Sequence, residues 1–216
     1  MYLEGVNMTR SDNSSNSAAI QITDGTATII LKGSNTIIAQ NSSGASHDIC
    51  GIELAGEDAN VHIKGTAGSS LDIQTGGQTA IGSRMGGHCG NITIEDATIT
   101  ASTKNGGMGS SAAIGTSSGF HGDTSCGIIR IIRSSITASV VDAGYGKAAV
   151  IGTGGTDGGN VSCKGIEITL KRGESKATFL SRLTGDYFTQ VALVSIEWHI
   201  EYLRLCPLVQ CRRGQR

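Results

Sequence analysis

The sequence predicts an all-β chain: a single-stranded right-handed parallel β-helix, or solenoid, with about three strands per coil and an atypical C-terminal segment. Three observations carry this. First, one passage of sequence recurs, since Ala80-Ile81-Gly82 returns as Ala113-Ile114-Gly115 and again as Val150-Ile151-Gly152. Between the last two copies the register holds throughout, from Ile114 to Ile151, Cys126 to Cys163, Ile129 to Ile166 and Ile131 to Ile168. A period of this kind marks a unit that leaves one face for its neighbour to cover. Second, the short segments alternate aliphatic with polar residues, as in Ile92-Thr93-Ile94, Ile99-Thr100-Ala101 and Ile166-Glu167-Ile168-Thr169. Period-two alternation puts one set of side chains inside and the other outside. Third, 32 glycines with a single proline fit many tight turns between short strands.

Composition narrows the function classes. With 38% hydrophobic and 4% aromatic residues, a core of large side chains is excluded. A net charge of −1 argues against non-specific nucleic-acid binding, which needs a basic field. No long apolar run occurs in residues 1–170 and no signal peptide opens the chain, so membrane insertion is not expected. Met1–Thr9 already reads as the middle of a repeat, which suggests a start inside a longer protein. The 6 cysteines match neither a disulfide-dense mini-protein nor a spaced CxxC pair.

Taken in order, the first coil is Ala19–Ile22, Thr26–Leu31 and Asn35–Ala39, punctuated by Asp24-Gly25 and Lys32-Gly33-Ser34. The next is Gly51–Leu54, Ala59–Ile63 and Ser70–Ile73, with turns at Gly56-Glu57-Asp58 and Lys64–Gly68. An isoleucine starts each coil at Ile20, Ile52, Ile81, Ile114 and Ile151. The spacing varies because turns vary in length while strands do not. Parallel coils about 4.8 Å apart would bring matching aliphatic residues into interior ladders.

Over roughly residues 1–170 the chain resembles the right-handed parallel β-helix modules of secreted and surface proteins of gut bacteria (Firmicutes type). The pattern of Ala-Ile-Gly, a Gly-rich loop, Ile-Thr-Ile and Ile-Thr-Ala carries the likeness. It stands here as Ala80-Ile81-Gly82 with Ile92-Thr93-Ile94, and as Ala113-Ile114-Gly115 with Ile136-Thr137-Ala138. The likeness extends loosely to β-helix carbohydrate-binding domains of clostridial type. It implies a secreted or cell-surface setting. Such motifs are strand-and-turn chemistry, specific for fold more than for function.

After Leu170 the text changes. Residues 171–216 hold the only Pro and the only Trp and carry net positive charge, whereas residues 1–170 are net negative. Two domains are therefore expected: repeats over 1–170, and a cap or unrelated tail over 171–216 with its last residues disordered. Val194–Tyr202 alternates cleanly and reads as a strand against the end of the stack. A solenoid needs such an end cover, and without one end-to-end self-association is expected.

Cys89, Cys126 and Cys163 occupy equivalent places and should form a column of buried thiols. A disulfide between adjacent coils is sterically conceivable there, with one cysteine left over. His88-Cys89 and His121 with Cys126 offer zinc-type ligands, but the two histidines are out of register, so no metal or other cofactor is expected. Asp123, Asp142 and Asp157 are read as turn residues. Glu95-Asp96 is the one adjacent acidic pair in the regular coils, and its counterpart in the next coil is Ile132-Arg133, which argues against paired-carboxylate catalysis. No catalytic residue is assigned. Candidate ligand-binding residues are Phe120 and Tyr145, loop aromatics that bracket one coil, and Arg130 and Arg133, a local basic spot. A threonine array for ice is discounted because Arg130 falls opposite Thr93.

The expected function is a non-enzymatic rigid module of a larger bacterial surface or secreted protein, adhesin-like, with polysaccharide as its expected partner. Loops at 83–90, 103–111, 116–125, 140–148 and 153–162 would set specificity. The alternatives are a polysaccharide lyase-like enzyme on the same fold, or a truncated fragment with no activity of its own.

Overall fold

Matching isoleucines do stack. The computed structural model describes residues 1–11, 17–40, 49–104, 111–117, 123–141, 148–154, 161–185 and 193–198. With 66% of residues in strands and 3% in helix the chain is all-β, and its parallel sheets stack as a solenoid of about four turns. Three sheets form its walls. The first contains Tyr2–Glu4, Thr26–Lys32, Asn60–Gly65, Ile92–Glu95, Thr124–Ile132, Val161–Leu170 and Leu193–Trp198, and His88–Cys89 also pairs onto Thr124–Ile132. The second runs Asn7–Ser11, Ser34–Gln40, Ser70–Thr75, Thr98–Thr103, Ser135–Val140 and Leu183–Gly185. The third runs Ser17–Ile22, Ile49–Leu54, Ile81–Ser83, Ala112–Thr116 and Ala149–Thr153.

Each wall repeats its inward positions from coil to coil. On the first sheet Ile29, Ile63, Ile94, Ile131 and Ile168 lie in register, beside Val61, Ile92, Ile129 and Ile166. On the third the column is Ile20, Ile52, Ile81, Ile114 and Ile151, which are the isoleucines that open the coils in the sequence. On the second, Leu71, Ile99 and Ile136 align beside Ile73, Ala101 and Ala138. Small and large columns side by side let aliphatic groups fill a narrow interior without aromatics. Full burial of each such side chain is worth about 1.5–3 kcal/mol.

Corners leave backbone groups that no ladder can pair, and asparagine side chains take them up. Asn35, 1% exposed, accepts the Val6 N–H at 3.0 Å and donates to the carbonyls of Lys32 and Ser70, each at 3.2 Å. Asn60 Oδ1 accepts from the Asn91 backbone at 2.7 Å, and Asn91 Oδ1 accepts from Ile128 N–H at 2.8 Å, so the asparagines tie successive coils. One interior corner is lined by hydroxyls. There Thr75 donates to the Gln78 carbonyl and lies 3.1 Å from Thr103, and Thr79 lies 2.6 Å from Ser117.

Past Leu170 the described residues keep to the stack. Ser175 caps a short helix, α1 (Lys176–Leu180), by accepting the Thr178 N–H at 3.0 Å. Phe179, 1% exposed, packs into the hydrophobic core. Leu183–Gly185 then pairs parallel with Ser135–Val140, and Leu193–Trp198 with Val161–Leu170. The alternation that begins at Val194 therefore does mark a strand, and residues 199–216 lie outside the described residues.

Candidate functional site: the charged outer face of the first sheet

The alternation that sends Ile63, Ile94 and Ile131 inward sends their neighbours out. One outward column is Thr28, His62, Thr93, Arg130 and Glu167, and the next is Ile30, Lys64, Glu95, Ile132 and Thr169. Side chains on adjacent coils meet through hydrogen bonds and ion pairs. His62 Nε2 lies 2.9 Å and Lys64 Nζ 3.4 Å from Glu95 Oε2, while Arg133 Nη2 lies 3.0 Å from Glu95 Oε1. Arg133 also donates to both Asp96 oxygens, at 2.9 and 2.7 Å. Arg130 Nε donates to Glu167 Oε2 at 2.7 Å.

Backbone geometry sets up the Asp96–Arg133 pair. The turn from the first sheet to the second needs a left-handed residue, supplied by Gly5 (φ 62) and Gly33 (φ 61) in the early coils. In two later coils Asp96 (φ 51) and Arg133 (φ 47) adopt it instead. A left-handed arginine is costly by about 1–2 kcal/mol, and the two-pronged contact with Asp96 offsets part of that cost.

Electrostatics follow from these contacts. The Arg133 guanidinium holds the Asp96 carboxyl below its ordinary range, against the effect of burial. Burial pulls Glu95 upward, but hydrogen bonds from His62, Lys64 and Arg133 outweigh it and the net shift is downward. A depressed carboxyl contributes stability that is complete above its unfolded value, about pH 4. That contribution is lost as pH falls through the lower folded value. Asp96→Asn is therefore expected to lower stability at pH 7 by less than about 1 kcal/mol, since the pair is half-exposed and screened. The gap should close as acid titrates the wild type. Urea denaturation at stepped pH reads it, and a gap that persists unchanged in acid would show that this ion pair is not its source.

Among the candidate residues from sequence, Arg130 and Arg133 fall on this one face, each already engaged with a carboxylate. Phe120 and Tyr145 lie outside the described residues, as do His121, Asp142 and Asp157 and much of the loops assigned to specificity. The sequence reading did not single out His62 or Lys64. A signal existed, since Lys64 and Glu95 each follow an isoleucine of one column and so must be neighbours outside. On the second sheet, Thr36, Asp72, Thr100 and Thr137 share an outward column, so a carboxylate interrupts the threonines there too.

The cysteine column forms as expected. Cys89 pairs in register with Cys126 and Cys126 with Cys163. His88 and Cys89 point to opposite sides of their strand. His88 Nδ1 lies 2.9 Å from Ser125 Oγ, whereas Cys89 Sγ lies 3.2 Å from Thr116 Oγ1 in the interior. These two residues therefore point away from one shared ion, and among the described residues no group of three or more His, Cys, Asp or Glu is placed to hold a metal. No helix among the described residues is long and apolar enough to cross a membrane.

Fold and faces together define a parallel β-solenoid with one salt-bridged outer wall. No protein family, curated protein or solved structure matches the chain. The likeness to carbohydrate-binding modules of gut bacteria is thus supported at the level of the solenoid alone.

Proposed function

We propose that this solenoid is a non-enzymatic, rigid module of a larger bacterial surface or secreted protein, adhesin-like, and that it holds polysaccharide along the outer face of its first sheet. One observation carries the reading: the imidazole of His62, the cations Lys64 and Arg130, the carboxylates Glu95 and Glu167 and the hydroxyls of Thr28 and Thr93 share the outer face of one parallel sheet in successive coils. Adjacent coils repeat about every 4.8 Å. Such a row offers many donors and acceptors to a hydroxyl-rich chain while presenting little net charge.

The same pairing disfavours the lyase alternative. A base that removes a sugar proton works best with its pKa near the working pH. Glu95 and Asp96 are instead held below the carboxylate range by their cations. The test is retention of soluble pectins, uronic-acid polymers and neutral glycans on the immobilised chain. Binding is expected without release of unsaturated product, and Arg130→Ala should weaken it by roughly tenfold, the size of one charge-assisted hydrogen bond. Turnover would sink the binding-module reading in favour of the lyase, and binding insensitive to Arg130→Ala would remove this face from it.

A further inference from the structure

We propose that Cys163, Cys126 and Cys89 form a thiol relay in which a small-molecule disulfide is exchanged at Cys163 and resolved by Cys126, leaving a covalent bridge between adjacent coils. The observation beneath it is the interior column itself. Cys89 and Cys126 have their Sγ atoms 3.0 Å apart, closer than unbonded sulfurs normally approach, and both are buried free thiols. Register partners on neighbouring parallel strands lie about 4.8 Å apart, inside the Cα separation that disulfides span.

The column has a closed end and an open end. Below Cys89 lies Gly56, which pairs with it across an isolated bridge and contributes no side chain. Cys126 is wholly covered at 0% exposure. Cys163 is half-buried. Among the described residues the strand above it, Leu193–Trp198, begins its pairing only at Ile166. Of the three thiols Cys163 is the least buried, so it is the one a reagent from solution meets first.

The outer two thiols of the column also differ in acidity. A hydrogen bond from Cys126 lowers the Cys163 thiol to about 7, against the effect of burial, so a large share is thiolate near neutral pH. Cys126 is pushed well above its ordinary value by its contacts with Cys163 and Cys89 and by burial. Once Cys163 is capped, the first of those causes is gone, and Cys126 stands in register with the capped sulfur.

The steps balance. The Cys163 thiolate attacks one sulfur of RSSR, forming Cys163–S–S–R and expelling RS⁻, which takes up a proton. Cys126 then attacks Cys163 Sγ, and the departing second RS⁻ takes up the Cys126 proton and leaves as RSH. The net change is RSSR plus two cysteine thiols giving one Cys126–Cys163 disulfide and two RSH. Cys89 can next attack Cys126 Sγ, which moves the bridge inward to Cys89–Cys126 and returns Cys163 to the thiol. Three cysteines thus leave none idle: the one outside the bridge at any moment is the next nucleophile.

The experiment treats the folded full-length chain with oxidised glutathione at pH 7.5, quenches by alkylation in denaturant, and maps cysteines by mass spectrometry over time. A Cys163–glutathione adduct should appear first and decay into peptides joined through Cys126. Cys163→Ser should slow the loss of alkylatable Cys126 at least tenfold, and Cys126→Ser should leave the Cys163 adduct standing. Two results would overturn the relay: a stable Cys163 adduct in the wild type with Cys126 still free, or bridging whose rate is unchanged in Cys163→Ser. Because the wild-type time course alone orders the adduct and the bridge, the test holds even if one variant folds poorly.

Discussion

Gly115→Ala is expected to lower stability by roughly 3–5 kcal/mol, the upper range for a single substitution. Gly82, Gly115 and Gly152 form a column on the third sheet with φ of 137, 130 and 126. In that conformation a side chain would leave the backbone along the stacking axis. A Cβ built at Gly115 falls 1.8 Å from the Gly152 carbonyl oxygen, and one at Gly82 falls 1.7 Å from that of Gly115. The obstacle is backbone in the next coil, so no rotamer change relieves it. Gly25→Ala separates conformation from collision, since Gly25 has φ +66 and nothing within 4 Å of its built Cβ. It should cost about 1–2 kcal/mol, the price of the left-handed region alone. Urea denaturation of both variants decides the point. Equal losses would mean that close approach of the coils is not what the glycine column protects.

That column shows what the chain states openly. Ala-Ile-Gly recurs visibly, and its isoleucine and glycine each occupy one register position in successive coils. Strand positions were legible because period-two alternation is local and the inward column is almost uniformly aliphatic. The left-handed corner was less legible. Glycines advertise it at Gly5 and Gly33, but Asp96 and Arg133 adopt it with ordinary side chains. Arg133 therefore read as an open basic spot, whereas a residue at a fixed corner faces the same corner one coil below, and there stands Asp96. The pairing of Glu95 with Lys64 was missed for a related reason: a charge pair between coils spans about thirty residues of sequence and becomes adjacent only once the coil register is fixed. Helix α1 gave no periodic signal because Lys176–Leu180 completes little more than one turn. Its anchor, Phe179, is the single large ring in the described core, where small interior columns leave no room for others.

Ile94→Ala is expected to cost about 2–5 kcal/mol, and Ile94→Val about 0.5–1.5 kcal/mol. Ile94 is 0% exposed and sits between Ile63 and Ile131, in the middle of an inward column of isoleucines. Removing its outer carbons opens a cavity that hydrogen-bonded coils above and below cannot move to fill. Ile132→Ala serves as the comparison, because Ile132 sits on the outer face of the same wall and should change stability by less than about 1 kcal/mol. The solenoid makes a second, spatial statement. Each coil contacts only its neighbours, so a central cavity weakens the junction between two halves more than it weakens either half. Hydrogen exchange should therefore rise first in Asn60–Gly65, Ile92–Glu95 and Thr124–Ile132, with the outermost strands changing less. A uniform rise along the whole stack would instead show that the turns unfold as one unit. In that case the ladders couple more than nearest neighbours, and stiffness is a property of the entire rod.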